Sequence, residues 1–113
     1  MVTEQKRMAG TGGWVEVAVI TDLEKKRMKV VHPKGVSVLL VEHQGDVFAL
    51  SNRCPHLGCP LSSGTLSGHI ITCPCHDWSF DIRTGGLMMA PEVTLKRYHT
   101  RVSEGKISVR LED

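Results

Sequence analysis

The chain reads as all-β, an antiparallel sandwich or small barrel with one inserted segment. Short β-branched or alternating runs, Gly-rich turns at close intervals and a near absence of helix-period patterning predict this. At 113 residues the length suits a single domain able to bury a core. Hydrophobic residues at 41% against 23% charged, with no biased tract, argue for an ordered globule.

Residues 1–13 are polar and end in Gly10-Thr11-Gly12-Gly13, which predicts a mobile tail before a single domain over 14–113. Residues 14–20 place Val15, Val17 and Val19 in alternation, residues 28–31 form a short apolar run, and residues 36–41 are aliphatic and β-branched. Gln44-Gly45-Asp46 separates 36–43 from 47–50 as a tight turn separates antiparallel strands. A segment from about 52 to 81 interrupts the pattern and reads as an inserted binding subdomain. Phe80-Asp81 to Gly85-Gly86 reads as a strand end and turn, Pro91 introduces a strand over 94–102, and Ser103-Glu104-Gly105-Lys106 turns into 107–111.

The formal charge of +2, from 14 basic and 12 acidic residues, announces neither a nucleic-acid surface nor an anionic-membrane patch. The basic cluster Lys25-Lys26-Arg27 with Lys29 reads as a solvated turn. No stretch approaches the roughly 18 apolar residues of a membrane helix, and the N-terminus lacks the apolar core of a secretory signal. A soluble, cytoplasmic protein is expected. Four cysteines interleaved with histidines then point to metal chemistry more than to a disulfide framework.

That chemistry lies in two runs, Cys54-Pro55-His56-Leu57-Gly58-Cys59 and Cys73-Pro74-Cys75-His76. The spacing is Cys-x-His, sixteen residues, then Cys-x-x-His. Side chains two apart on an extended segment share a face but stand roughly twice the 3.3 Å strand rise apart, so Cys54 and His56 reach one ion only through a sharp turn. Two neighbouring metals suit the spacing better. A mononuclear zinc site is the rival, though Cys54 with Cys59, or Cys73 with Cys75, has an atypical separation for zinc.

Over residues 52–86 the text Cys54-Pro55-His56-Leu57-Gly58-Cys59-Pro60-Leu61 and Cys73-Pro74-Cys75-His76-Asp77-Trp78-Ser79-Phe80-Asp81 resembles the cluster loops of Rieske proteins. The resemblance implies a Rieske fold and one [2Fe–2S] cluster per chain. Cys54 and Cys73 would hold one iron, His56 and His76 the other. It also implies a disulfide between Cys59 and Cys75, on the positions that tie the loops together in cytochrome bc-type members. Pro91 and Tyr98 resemble the proline-containing loop and following strand that cover the cluster in soluble Rieske ferredoxins.

With two thiolates instead of four, the oxidised site is formally about neutral where an all-cysteine site is about −2, so an electron enters more easily. Reduction should couple to proton affinity at His56 and His76. The subtypes are mixed. Trp78 and Phe80 stand where bc-type proteins carry a Ser and a Tyr that donate hydrogen bonds to sulfur, and Asp77 stands where the family usually has Gly. Without those donors the potential should fall in the lower half of a range of about −150 to +300 mV.

The resemblance implies a one-electron carrier, not an enzyme, passing electrons from a reductase to an oxygenase or other redox partner. Within the same class it permits a small electron-transfer subunit of a larger oxidoreductase, nitrite reductase-like or quinol-oxidising. A structural zinc-binding module and a cluster-bearing redox sensor are the rivals from other classes. His32, His43, His69 and His99 read as ordinary surface or partly buried residues. Met88-Met89 reads as loop packing, with a docking rim that includes Leu57, Gly58 and Pro60 as the alternative.

Overall fold

The structure, a computed structural model, describes residues 13–24, 27–53, 59–75 and 77–111. The expected tail therefore lies outside the described residues, apart from Gly13. The large sheet contains β1 (Trp14–Val19), β2 (Met28–Val31), β3 (Val38–His43), β4 (Asp46–Ser51), β10 (Arg97–Ser103) and β11 (Lys106–Arg110), in the order β1-β11-β10-β4-β3-β2. It curls into a half-barrel. The small sheet contains β5 (Thr65–Ser67), β6 (Ile70–Thr72), β7 (Ser79–Asp81), β8 (Gly86–Leu87) and β9 (Ala90–Thr94), in the order β9-β8-β7-β6-β5. Every strand pairing among the described residues is antiparallel, as the alternation predicts.

Two hairpins turn where the sequence places them. Gln44 (φ 53°) and Gly45 (φ 85°) join β3 to β4, and Glu104 (φ 53°) and Gly105 (φ 76°) join β10 to β11. Two successive left-handed residues match the right-handed twist of the flanking strands. The run expected over 94–102 instead divides, β9 ending at Thr94 in the small sheet and β10 starting at Arg97 in the large one. Leu95 marks the crossing: its N–H bonds the Gly85 carbonyl and its side chain is buried.

β3 explains why the core lies in two parts. Val38, Leu39, Leu40 and Val41 are all fully buried, and successive strand residues face opposite ways. Leu39 and Val41 join Leu50, Leu61, Ile71, Cys73, Phe80, Ile82, Leu87 and Leu95 between the two sheets. Val38 and Leu40 join Leu23, Val31, Val47, Ala49, Ile107 and Val109 inside the curl. The small sheet is thus bonded to the large one by apolar burial on one face of β3.

Arg27 adds a polar tie, which corrects its reading as part of a solvated turn. Its guanidinium donates to the carbonyls of Glu42 (3.1 Å) and Gly68 (3.1 Å) and meets His43 Nδ1 at 3.1 Å, linking β3 to the β5–β6 turn. His43 in turn meets His69 with ring centroids 5.9 Å apart and the planes tilted by 57°. Lys29 pairs with Asp22 at 3.0 Å, while Lys25 and Lys26 lie outside the described residues.

Candidate metal centre

The second cysteine run sits on the hairpin that joins β6 to β7. Thr72 pairs with Ser79 across it, and their hydroxyls are 2.9 Å apart. The Cys73 N–H donates to the Trp78 carbonyl at 2.7 Å, and the Asp77 N–H donates to the Cys73 carbonyl at 3.1 Å. These bonds hold Cys73 against Asp77 and Trp78. Asp77 lies at φ 57°, the left-handed region in which glycine is free of strain and Asp is among the better tolerated alternatives. A turn requirement accounts for Gly in the family at this position and for Asp here.

The first run is gripped at its base. Asn52, buried to 7% exposure, uses nearly every polar group it has. Its N–H donates to the Ser37 carbonyl (3.1 Å) and its carbonyl accepts from Leu61 N–H (2.7 Å). Its side-chain oxygen accepts from Ser62 N–H (2.9 Å), and its amide donates to Ser37 Oγ (3.2 Å). Arg53 forms a bridge with Pro60 next to this clamp. Gly64 then passes so near β6 that a Cβ on it would stand 1.9 Å from the Thr72 carbonyl oxygen.

Cys59 and Cys75 form a disulfide with Cα atoms 6.5 Å apart. It joins the end of the first run to the second. Among the described residues Cys73 is the free cysteine. It is fully buried, and its sulfur and those of Cys59 and Cys75 all lie within 4.8 Å of one another. Cys54, His56 and His76, together with Leu57 and Gly58, lie outside the described residues.

Trp78 is half-buried, with its ring 6.4 Å from that of Phe80 and tilted by 57°. Phe80 is fully buried in the core that also holds Cys73, so the aromatic pair forms a wall behind the loop. Ser79 follows Trp78, and its hydroxyl is engaged by Thr72. Met88 and Met89 are exposed by 53% and 79%, on a turn whose Met88 N–H bonds the Ser79 carbonyl at 2.8 Å. That places the methionines beside the β7 end of the loop and in solvent, which corrects their reading as loop packing. Pro91 lies in β9, exposed, and Tyr98 is partly buried against the inner core of the large sheet.

The donor chemistry fits an iron–sulfur group. A buried thiol with both backbone groups hydrogen-bonded, on a loop tethered to a second clamped loop, is a rigid soft ligand. The supports that sequence reasoning missed are Asn52, Ser37 and Gly64. Asn52 is marked only by being a buried amide in a chain whose other core side chains are apolar.

Comparison with known proteins supports this construction. Residues 13–99 match the family model of the Rieske [2Fe-2S] domain. The chain is 38% identical over 99 residues to human apoptosis-inducing factor 3, which covers 85% of this chain but only 16% of that protein. It is 34% identical over 98 residues to ferredoxin CarAc of Metapseudomonas resinovorans, covering 85% of this chain and 92% of the ferredoxin. Among solved structures, a complex of reduced oxygenase and oxidised ferredoxin in carbazole 1,9a-dioxygenase contains a chain similar at TM-score 0.81 and 28% identity. The match covers 91% of this chain and 97% of that one. No described helix is long and apolar enough to cross a membrane.

Proposed function

We propose, from the fact that this chain belongs to the Rieske [2Fe-2S] domain family, that it is a one-electron carrier holding one cluster and delivering electrons to an oxygenase. Cys54 and Cys73 would hold one iron and His56 and His76 the other. When bound, such a cluster takes up and releases a single electron. The chain's own residues fix the ligands in place, keep water from the sulfur side and set the charge that the reduced site must bear.

The observation that carries the reading is Cys73, a buried free thiol anchored through both backbone groups on a loop that the Cys75–Cys59 disulfide tethers to the other run. Rigid ligands keep the site similar in both oxidation states, which favours rapid transfer. Phe80 and Trp78 exclude solvent from one side, and the lack of hydroxyls at these two positions should leave the potential low in its range. The partner reading is supported by the ferredoxin CarAc match, which spans nearly that whole protein, and by a neighbour solved as a ferredoxin–oxygenase complex. A reductase as donor and a cytoplasmic location shared with both partners belong to the same proposal, as does the single domain over 14–113 with its cluster-binding part near 52–81.

A second reading, an electron-transfer unit of a larger oxidoreductase, is favoured by the match to a 16% segment of a longer protein. Anaerobic preparation with iron and sulfide analysis tests the common core. The expected result is a red-brown protein with two irons and two labile sulfides per chain. A colourless protein with stoichiometric zinc would replace the carrier with a structural module. Reoxidation of the reduced protein by a Rieske oxygenase, at a rate matching turnover, separates a carrier from a redox sensor.

A further inference from the structure

We propose that Cys59, Cys73 and Cys75 form, once the Cys59–Cys75 disulfide is reduced, a site for a single thiophilic d10 cation such as Zn2+ or Cd2+, and that the disulfide keeps this site shut. The three sulfurs lie within 4.8 Å of one another. A tetrahedral zinc ion, with Zn–S near 2.3 Å, holds its sulfurs roughly 3.8 Å apart. Parting the bonded pair and drawing Cys73 inward therefore takes side-chain movements of about 1–2 Å, within reach of χ1 rotation.

The backbone is already spaced for this. The Cα atoms of Cys59 and Cys75 are 6.5 Å apart, near the upper end of the span that a disulfide bridges, so the sulfurs can separate without the two loops moving apart. Cys73 supplies a dry floor, fully buried beside Leu61, Ile71 and Phe80. Cys75 is exposed and Cys59 partly so, which gives an ion and a reductant access. Low dielectric on the Cys73 side strengthens the attraction between thiolate and cation.

The chemistry balances with a dithiol as reductant. The dithiol cleaves the S–S bond, passes two electrons and two protons to Cys59 and Cys75, and closes into its own cyclic disulfide. The divalent ion then displaces three thiol protons, and water takes the fourth position. In the oxidised chain Cys59 and Cys75 are bonded to each other, and the three-sulfur site does not exist. The disulfide thus has a second task beside tethering the loops. It denies a mononuclear ion this three-sulfur combination, which would draw Cys73 away from the cluster, a consequence that rests on the proposed role of Cys73 as an iron ligand.

The test is a cadmium titration of the full iron-free chain, oxidised or dithiol-reduced and then freed of reductant anaerobically, followed by the sulfur-to-cadmium charge-transfer absorbance. In the Cys54→Ser chain, which lacks the competing pair of Cys54 and Cys73, the reduced form should take up one Cd2+ and the oxidised form none. Adding Cys59→Ser or Cys75→Ser to that chain should abolish the uptake. No uptake by the reduced Cys54→Ser chain, equal uptake by its oxidised form, or uptake that survives the added Cys75→Ser would overturn the proposal. Circular dichroism checks that each variant is folded. Cadmium NMR of the reduced wild-type chain decides without any variant, since three thiolate ligands are required and any other number refutes the site. Iron and sulfide content of the untreated protein is read separately, so a chain that holds a cluster but binds no cadmium defeats this inference alone.

Discussion

The side-chain carbonyl of Asn52 accepts the backbone N–H of Ser62 at 2.9 Å, joining two points ten residues apart that bracket Cys54, His56 and Cys59. Asn52 is itself held by Ser37 through two further bonds. The residues that flank the first cysteine run are therefore joined by a polar clamp set in the edge of the apolar core.

Asn52→Ala should lower stability by about 1–3 kcal/mol, because it strands the covered Ser62 N–H and Ser37 hydroxyl. Urea unfolding measures this. The loaded protein should also lose iron faster than wild type. Thr100→Ala, which removes a 2.8 Å bond to the Val47 carbonyl in the large sheet, should leave iron retention unchanged.

Gly64→Ala should destabilise by roughly 3 kcal/mol or more, since its Cβ would meet the Thr72 carbonyl oxygen at 1.9 Å and backbone must move. Gly45→Ala is the comparison. Its φ is +85° but nothing stands within 4 Å of the added carbon, so only a left-handed strain of roughly 1–2 kcal/mol applies. Denaturation midpoints should rank the two variants in that order.

The fold should lose a little stability in acid through Asp81. The Arg83 side chain, bonded to it at 3.0 and 3.1 Å, holds the Asp81 carboxyl below its ordinary value of 3.8, with smaller help from His69. A lowered native pKa means the contribution is complete above the ordinary value and disappears as pH falls through the native one. The pair is near the surface, so the effect should be under about 1 kcal/mol. Thermal melts of wild type and Asp81→Asn should converge at the acid end and diverge above pH 4.

Trp78→Ser should raise the reduction potential by restoring a hydroxyl where bc-type proteins donate to sulfur. Protein-film voltammetry measures it. An unchanged potential in a fully loaded variant would count against hydrogen bonding as the lever at this position.

Local chemistry made the hairpins at Gln44-Gly45 and Glu104-Gly105 legible in the sequence, because two left-handed residues restrict what can stand there. Val38 to Val41 were legible as a strand but not as the divider of two cores, since a run buried on both faces carries no alternation. The break at Leu95 was hidden because its cause is a bond to Gly85, ten residues earlier and just before β8. Asn52 and Gly64 escaped for the same reason: a buried amide and a close backbone approach are defined by their partners, Ser62 and Thr72. The Cys59–Cys75 disulfide was implied by family resemblance alone, because four cysteines admit several pairings. His43 and His69 read as ordinary surface or partly buried residues, and both are partly buried; their ring contact beside the Arg27 tie depends on strand pairing that no local pattern marks.

Pulsed EPR of the reduced protein, with nitrogen-15 in its histidines, tests the asymmetric ligation most directly. Two nitrogen couplings to the cluster spin are expected, one vanishing in a His56 variant and the other in a His76 variant. A paramagnetic cluster with no histidine nitrogen coupled to it would contradict the account.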